Sequence, residues 1–123
     1  MRILAVEPGR KPEAREIDGS LKSMQEIVGG FIQAIYLDGA VALICNDEGK
    51  LMNLPLNRAL KDKDGQIYDI ISGTFFLCGA PDDSSNFTSL AQEQIQQYQE
   101  RFYTPEMFWG INGRIICIPM EEK

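Results

Sequence analysis

The stretch Asn46 to Arg58, NDEGKLMNLPLNR, concentrates side chains suited to recognition: three asparagines and an arginine set among leucines and a proline. An arginine offers a planar fork of five donors that fits phosphate or carboxylate, and an asparagine both donates and accepts. Asn57 and Arg58, with Asn46, the glycine pair Gly29 and Gly30, and Thr74 of the Gly73-Thr74-Phe75-Phe76 run, form the candidate ligand-binding set for a small anion. The competing account is structural: Asn46 caps a turn, Asn53 and Asn57 satisfy loop backbone, and Arg58 pairs with Glu48 or Asp69. Phe108-Trp109 offers either a partner-binding anchor or ordinary core.

Other chemistries are closed by composition. The 123-residue chain has no histidine, which removes most acyl-transfer triads and the usual general base near neutral pH. No Walker loop, dinucleotide fingerprint, nucleophile elbow or EF-hand loop occurs. Paired acids such as Asp62 with Asp64, or Glu121 with Glu122, fall in loops or at the tail, where solvation explains them. Gly110-Ile111-Asn112-Gly113 has the form of a backbone-clamping loop, yet a type I′ hairpin turn at Asn112-Gly113 accounts for it more simply. The expectation is a protein that is not an enzyme, with no catalytic residues, no metal and no cofactor.

Charge and cysteine usage narrow the partners. With 18 acidic against 12 basic residues and a net charge of −6, the chain lacks the basic stripe that duplex nucleic acid requires. Cys45, Cys78 and Cys117 lie in separate apolar runs, an odd set with neither metal-ligand nor disulfide spacing, as reduced core residues in a cytoplasm would be. The apolar run before Glu7, Ile3 to Val6, is too short for a signal peptide, and no stretch reaches the roughly 20 apolar residues of a membrane span.

The elements that must position these residues follow from periodicity. Asp38-Gly39 between two apolar runs predicts a hairpin with a two-residue turn, Phe31–Leu37 against Ala40–Asn46, pairing Tyr36 with Val41 and Ile32 with Cys45. One face of that ribbon, Ile32, Ala34, Tyr36, Val41, Leu43 and Cys45, is then wholly apolar. Arg2 to Glu7 and Glu13 to Ile17 read as strands, the second an edge strand whose charges discourage further pairing. Leu21 to Val28 reads as a helix stopped by Gly29-Gly30. Lys50 to Leu54 reads as a short strand, Leu56 to Leu60 as one helical turn, and Lys61 to Gln66 as a charged loop. Ile67 to Gly79 is β-rich. A second helix starts with a capping box from Ser89 to Gln92 and carries the stripe Ala91, Ile95, Tyr98, Phe102. Met107–Ile111 and Arg114–Ile118 form a last hairpin. The economical architecture is one α+β domain over residues 1–123, a mostly antiparallel sheet of five to seven strands with two helices packed on one face.

The segments VEPGRKPEAREID, SMQEIVGGFIQA, ALICNDEGKLMNLPLNRAL and DIISGTFFLCG together resemble the family called domain of unknown function 3846, over Val6 to about Gly79 and more loosely through the Ser89 helix. The resemblance implies a small accessory protein of phages, plasmids and integrative elements, often carried near antirestriction genes, and transfers no activity. The reading that results is a non-enzymatic phage or mobile-element protein in the bacterial host cytoplasm that binds a small anionic, nucleotide-like ligand, such as a host defence signal. Two alternatives stand beside it: an acidic protein–protein effector of antirestriction type acting on a host protein, and a carboxylate-dependent hydrolase. Self-association through exposed hairpin edges is a further option; duplex nucleic acid and membrane are not expected partners.

Overall fold

The computed structural model describes residues 1–120, so the Glu121-Glu122 pair lies outside the described residues. In chain order it runs β1 (Arg2–Val6), β2 (Glu13–Glu16), α1 (Leu21–Val28), β3 (Ile32–Leu37), β4 (Val41–Asn46) and β5 (Leu56–Lys61). Then come β6 (Ile67–Ser72), β7 (Phe75–Gly79), α2 (Gln92–Arg101), β8 (Glu106–Ile111) and β9 (Arg114–Pro119). The fold is α+β: a five-stranded sheet in the order β2-β1-β7-β4-β3 and two separate hairpins, β5-β6 and β8-β9, with every pairing antiparallel.

Every residue of β7 is buried, and its period-two alternation divides the core into two layers. Phe76 and Cys78 point into one layer with Ile3, Ala5, Ala42, Ile44 and the Met24 and Val28 face of α1. Phe75 and Leu77 point into the other with Leu4, Val6, Val41, Leu43 and Cys45, covered by Ile95 and Tyr98 of α2, by Phe102 just past its end, and by Leu60 and Ile71 of the β5-β6 hairpin. The two helices therefore lie on opposite faces of the sheet, and the expectation of both on one face is corrected. The reason is that the sheet is apolar on both sides, so each side needs its own cover.

Helix α1 begins and ends where the sequence places it. The Ser20 hydroxyl accepts from the Ser23 N–H at 3.1 Å, and Gly29, at φ 80°, turns the chain while donating to the Gln25 carbonyl at 2.8 Å. Helix α2 begins at Ala91 rather than at a Ser89 capping box. The Gln94 side chain accepts from the Ala91 N–H at 2.8 Å, whereas the Ser89 hydroxyl accepts from the Arg2 N–H of β1 at 2.9 Å.

Three further expectations are corrected. The β3-β4 turn holds three residues, Asp38 to Ala40, with Gly39 and Ala40 both at positive φ, so Leu37 faces Val41 and Ile32 faces Asn46. That one-residue slip moves Val41, Leu43 and Cys45 to the face opposite Ile32 and Ala34. Tertiary contacts fix it. The carbonyls of Asp38, Gly39 and Ala40 accept in turn from the Tyr98 hydroxyl (2.9 Å), the Gln94 amide (2.8 Å) and the Ala80 N–H (2.7 Å). Lys50 to Leu54 is turn rather than strand, held by bonds such as Leu54 N–H to Gly49 O at 3.0 Å. Leu56 to Leu60 is strand β5 rather than a helical turn, because Lys61 to Gln66 closes a hairpin in which the Asp62 carboxylate accepts from the N–H groups of Asp64 and Gln66, both at 2.9 Å. The last hairpin forms as expected, with Asn112 and Gly113 at positive φ in a two-residue turn.

Gly79 closes the central strand against the Thr88 segment, exchanging backbone hydrogen bonds of 2.7 and 2.9 Å with it. A Cβ there would meet the Thr88 hydroxyl and approach the Ser89 carbonyl at 2.7 Å. Gly79→Ala is expected to cost about 1–3 kcal/mol, read as a lower urea midpoint at unchanged slope. Gly110→Ala, where a Cβ meets nothing within 4 Å, is the control expected to leave the midpoint in place.

Candidate functional site

The six residues singled out from sequence do not converge. Gly29, Gly30 and Asn46 meet at the junction of α1 and β4. There the Asn46 amide donates to the Val28 carbonyl at 3.1 Å, its carbonyl oxygen accepts from the Glu48 N–H at 2.7 Å, and a Cβ on Gly30 would stand 2.9 Å from that amide nitrogen. Asn57 and Arg58 belong to β5 on the other side of the sheet, and Thr74 is half-buried between β6 and β7.

Asn57 and Arg58 are fully occupied by the protein. The Asn57 amide donates to the carbonyls of Val6 (2.8 Å) and Gly73 (2.9 Å), and its own oxygen accepts from Arg58 Nη1 at 2.9 Å. Arg58 is 1% exposed. Its Nε and Nη2 donate to the Phe102 carbonyl at 3.2 and 3.0 Å, Nη2 to the Arg10 carbonyl at 2.6 Å, and Nη1 also to the Asn57 carbonyl at 3.3 Å. Every acceptor is a carbonyl oxygen; neither Glu48 nor Asp69 is among them. Burial lowers the Arg58 pKa below the ordinary value of a guanidinium, opposed by the negative charge of Glu106.

The guanidinium instead underlies a cleft of about 820 Å³, bounded by the end of β3, the β5-β6 hairpin, the C-terminal turn of α2 and the base of β8-β9. That volume is ample for a small molecule. Two exposed aromatic rings, Tyr36 (69%) and Tyr68 (55%), line it with Lys61, Lys63 and Arg101. Arg101 stacks its guanidinium over Phe102 at 5.4 Å and donates to the Lys61 carbonyl at 3.2 Å. Asp38, Asp62, Glu100 and Glu106 also line the cleft. Two of these carboxylates have internal duties. Asp62 caps the hairpin turn, and Glu106 accepts from the Ala59 N–H and the Cys117 thiol, both at 2.8 Å, with Lys61 Nζ at 4.0 Å.

A second cavity, about 110 Å³, lies beside Asn46 and the Asp47-to-Leu51 turn, and the buried Ser72 hydroxyl beside it has no hydrogen-bond partner among the described residues. It has room for a few waters, not for a nucleotide-sized ligand. Among the described residues no group of three or more potential ligands could hold a metal, and no helix is long and apolar enough to cross a membrane.

The model of the family described as Domain of unknown function (DUF3846) matches residues 1–103, from β1 through α2. The chain belongs to this family. No curated protein and no solved structure matches it. Most of the cleft in this DUF3846 chain lies on matched residues; the base of β8-β9, with Glu106 and Pro119, lies past them.

The cleft residues Tyr36, Lys61, Lys63, Tyr68 and Arg101 were not legible as a site, since Lys61 to Gln66 reads in sequence only as a charged loop. The signal available was Asp64-Gly65, a hairpin turn that brings Lys61 and Lys63 to the same end as Tyr68.

Two outcomes test these assignments. Arg58→Met is expected to destabilise the fold by about 2–4 kcal/mol, because the buried Phe102 carbonyl and the part-buried Arg10 carbonyl lose their donors, and Arg58→Lys restores little because an ammonium cannot span the fork. Denaturant titration of both variants measures this. The three thiols give a second test. Burial raises Cys45 to about 11, Cys78 to about 12 and, with the hydrogen bond to Glu106, Cys117 to about 11. Since the folded state holds these protons more tightly than the unfolded chain, whose thiols titrate near 9, their contribution is complete below about pH 9 and is lost as pH rises through 11 to 12. Native protein is expected to react slowly with a thiol reagent at pH 8, with all three thiols released in urea and the urea midpoint falling above pH 9.

Proposed function

We propose that the chain is a non-enzymatic binding protein for a small anionic ligand of nucleotide-like character, and that the ligand occupies the cleft between α2 and the β5-β6 hairpin. The observation that carries this reading is the pairing of two exposed tyrosine rings with Lys61, Lys63 and Arg101 around one cleft of about 820 Å³. A planar base stacks on an aromatic ring whatever its sequence identity, and a phosphate is met by ammonium and guanidinium donors. Arg58 contributes by charge rather than by contact. Its buried guanidinium ends on carbonyls, so its field at the cleft is offset mainly by Glu106. A soluble sink for a host signalling nucleotide, carried by a mobile element, is the role such a site would suit.

Charge layout favours this reading over an acidic effector that imitates nucleic acid. Several carboxylates are interleaved with cations, as in Glu7 with Arg15 at 3.0 Å and Asp69 with Lys50 at 3.0 Å, where a mimic needs its acids gathered at phosphate-like spacing.

Calorimetry of the full chain against nucleosides, mono- and dinucleotides, cyclic nucleotides and inorganic phosphate tests the proposal. Saturable one-to-one binding of a phosphorylated nucleoside is expected, weakened by about 1–3 kcal/mol in Tyr68→Ala and by added salt, with Lys63→Ala reducing the salt dependence. Silence across the panel, or binding unchanged in both variants, overturns it.

A further inference from the structure

The β8-β9 hairpin lies past the family-matched residues and presents one face that none of the described residues covers. The register pairs Met107 with Ile118, Trp109 with Ile116 and Ile111 with Arg114, so these six side chains share a face. The five apolar ones are 41%, 39%, 55%, 42% and 49% exposed for Met107, Ile118, Trp109, Ile116 and Ile111. The opposite face turns Glu106, Phe108 and Cys117 toward the body, where all three are half-buried, and leaves only Ile115, next to the tip, as a large exposed apolar residue at 55%.

We propose that this face is a self-association surface on which a second copy of the chain packs, hairpin against hairpin, about a two-fold axis. Area supports a copy of modest affinity. Those exposed fractions leave on the order of 500 Å² of apolar side chain per chain, so a pair buries on the order of 1,000 Å², about the threshold for a specific interface. Charge supports it too. In a chain of net charge −6 the face carries no carboxylate, and its one ion, Arg114, sits at the tip, so two copies meet without stranding acids between them. A lipid surface is the less suitable occupant, since interfacial binding by an acidic protein needs a rim of several cations and this face has one. Packing also answers a local need, because a two-stranded hairpin with an uncovered apolar face is marginal in water, and two such ribbons stacked face to face make a small sandwich.

Trp109 is the sole tryptophan, so its emission reports this surface directly. Sedimentation velocity and fluorescence of the full chain from about 1 to 200 µM are expected to show a monomer–dimer equilibrium with a blue shift of Trp109 in step with dimer formation. Ile116→Glu is expected to weaken dimerisation at least tenfold and abolish the shift, while Leu51→Ser, which alters an 84% exposed apolar residue elsewhere, leaves both unchanged. If circular dichroism shows that Ile116→Glu disturbs the hairpin, Ile111→Arg, on the same face nearer the tip, decides in its place. A monomer throughout, a dimer indifferent to these changes, or a monomer that moves onto mixed phosphatidylcholine–phosphatidylglycerol vesicles overturns the proposal.

Discussion

The rest of the structure depends on the two-sided burial of Phe75–Gly79. A central strand with phenylalanine on each face, Phe75 one way and Phe76 the other, cannot be covered by a single layer. Strands β1 and β4 flank it and repeat the alternation, so the sheet becomes a septum between two apolar compartments. One compartment is closed by the short helix α1. The other must accommodate α2 and the β5-β6 hairpin side by side, and the seam between those two covers is where the cleft opens. The cleft is thus a consequence of covering one sheet face with two unlike elements.

Arg58 holds that seam. Three of its hydrogen bonds, from Nε and Nη2, tie β5 to Phe102 just past the end of α2 and to Arg10 in the loop after β1, three segments far apart in sequence. A buried guanidinium is costly unless its donors are met, and carbonyl oxygens meet them here without neutralising the charge. The result is a fixed cation at the floor of a polar cleft. An aliphatic residue of equal volume could pack there, but it would leave the carbonyls unsatisfied and the floor without its charge.

Local signals in the sequence were sufficient for elements whose ends are decided locally. Ser20 and Gly29 bound α1, and Asn112-Gly113 sets the last hairpin, because caps and two-residue turns satisfy their own backbone. The β3-β4 register was not legible, because the carbonyls of its turn are claimed by Tyr98 and Gln94, residues about 60 positions away. The placement of α2 was illegible for a related reason: its stripe announces a buried face but not which side of the sheet receives it. Of the site, Asn57 and Arg58 were rightly marked as unusual, yet their polarity is spent inside. The residues that open onto solvent, Tyr68 and Lys63, sit around a turn whose composition looked merely soluble.

The chain manages its strand edges unevenly, and the contrast is informative. Edge strand β2 carries Glu13, Arg15 and Glu16, and Arg15 is held by Glu7 at 3.0 Å and Glu13 at 3.1 Å, an arrangement that discourages a further strand. The β8-β9 hairpin has no such guard on its outward face. Its base is also mechanically part of the cleft, since Glu106 hooks the Ala59 N–H of β5 while Pro119 lines the wall. Any contact that immobilises the hairpin therefore fixes one side of the cleft, and whatever fills the cleft restrains the hairpin. By linkage the two events favour each other to the same extent, provided the bound wall and the packed hairpin share one conformation.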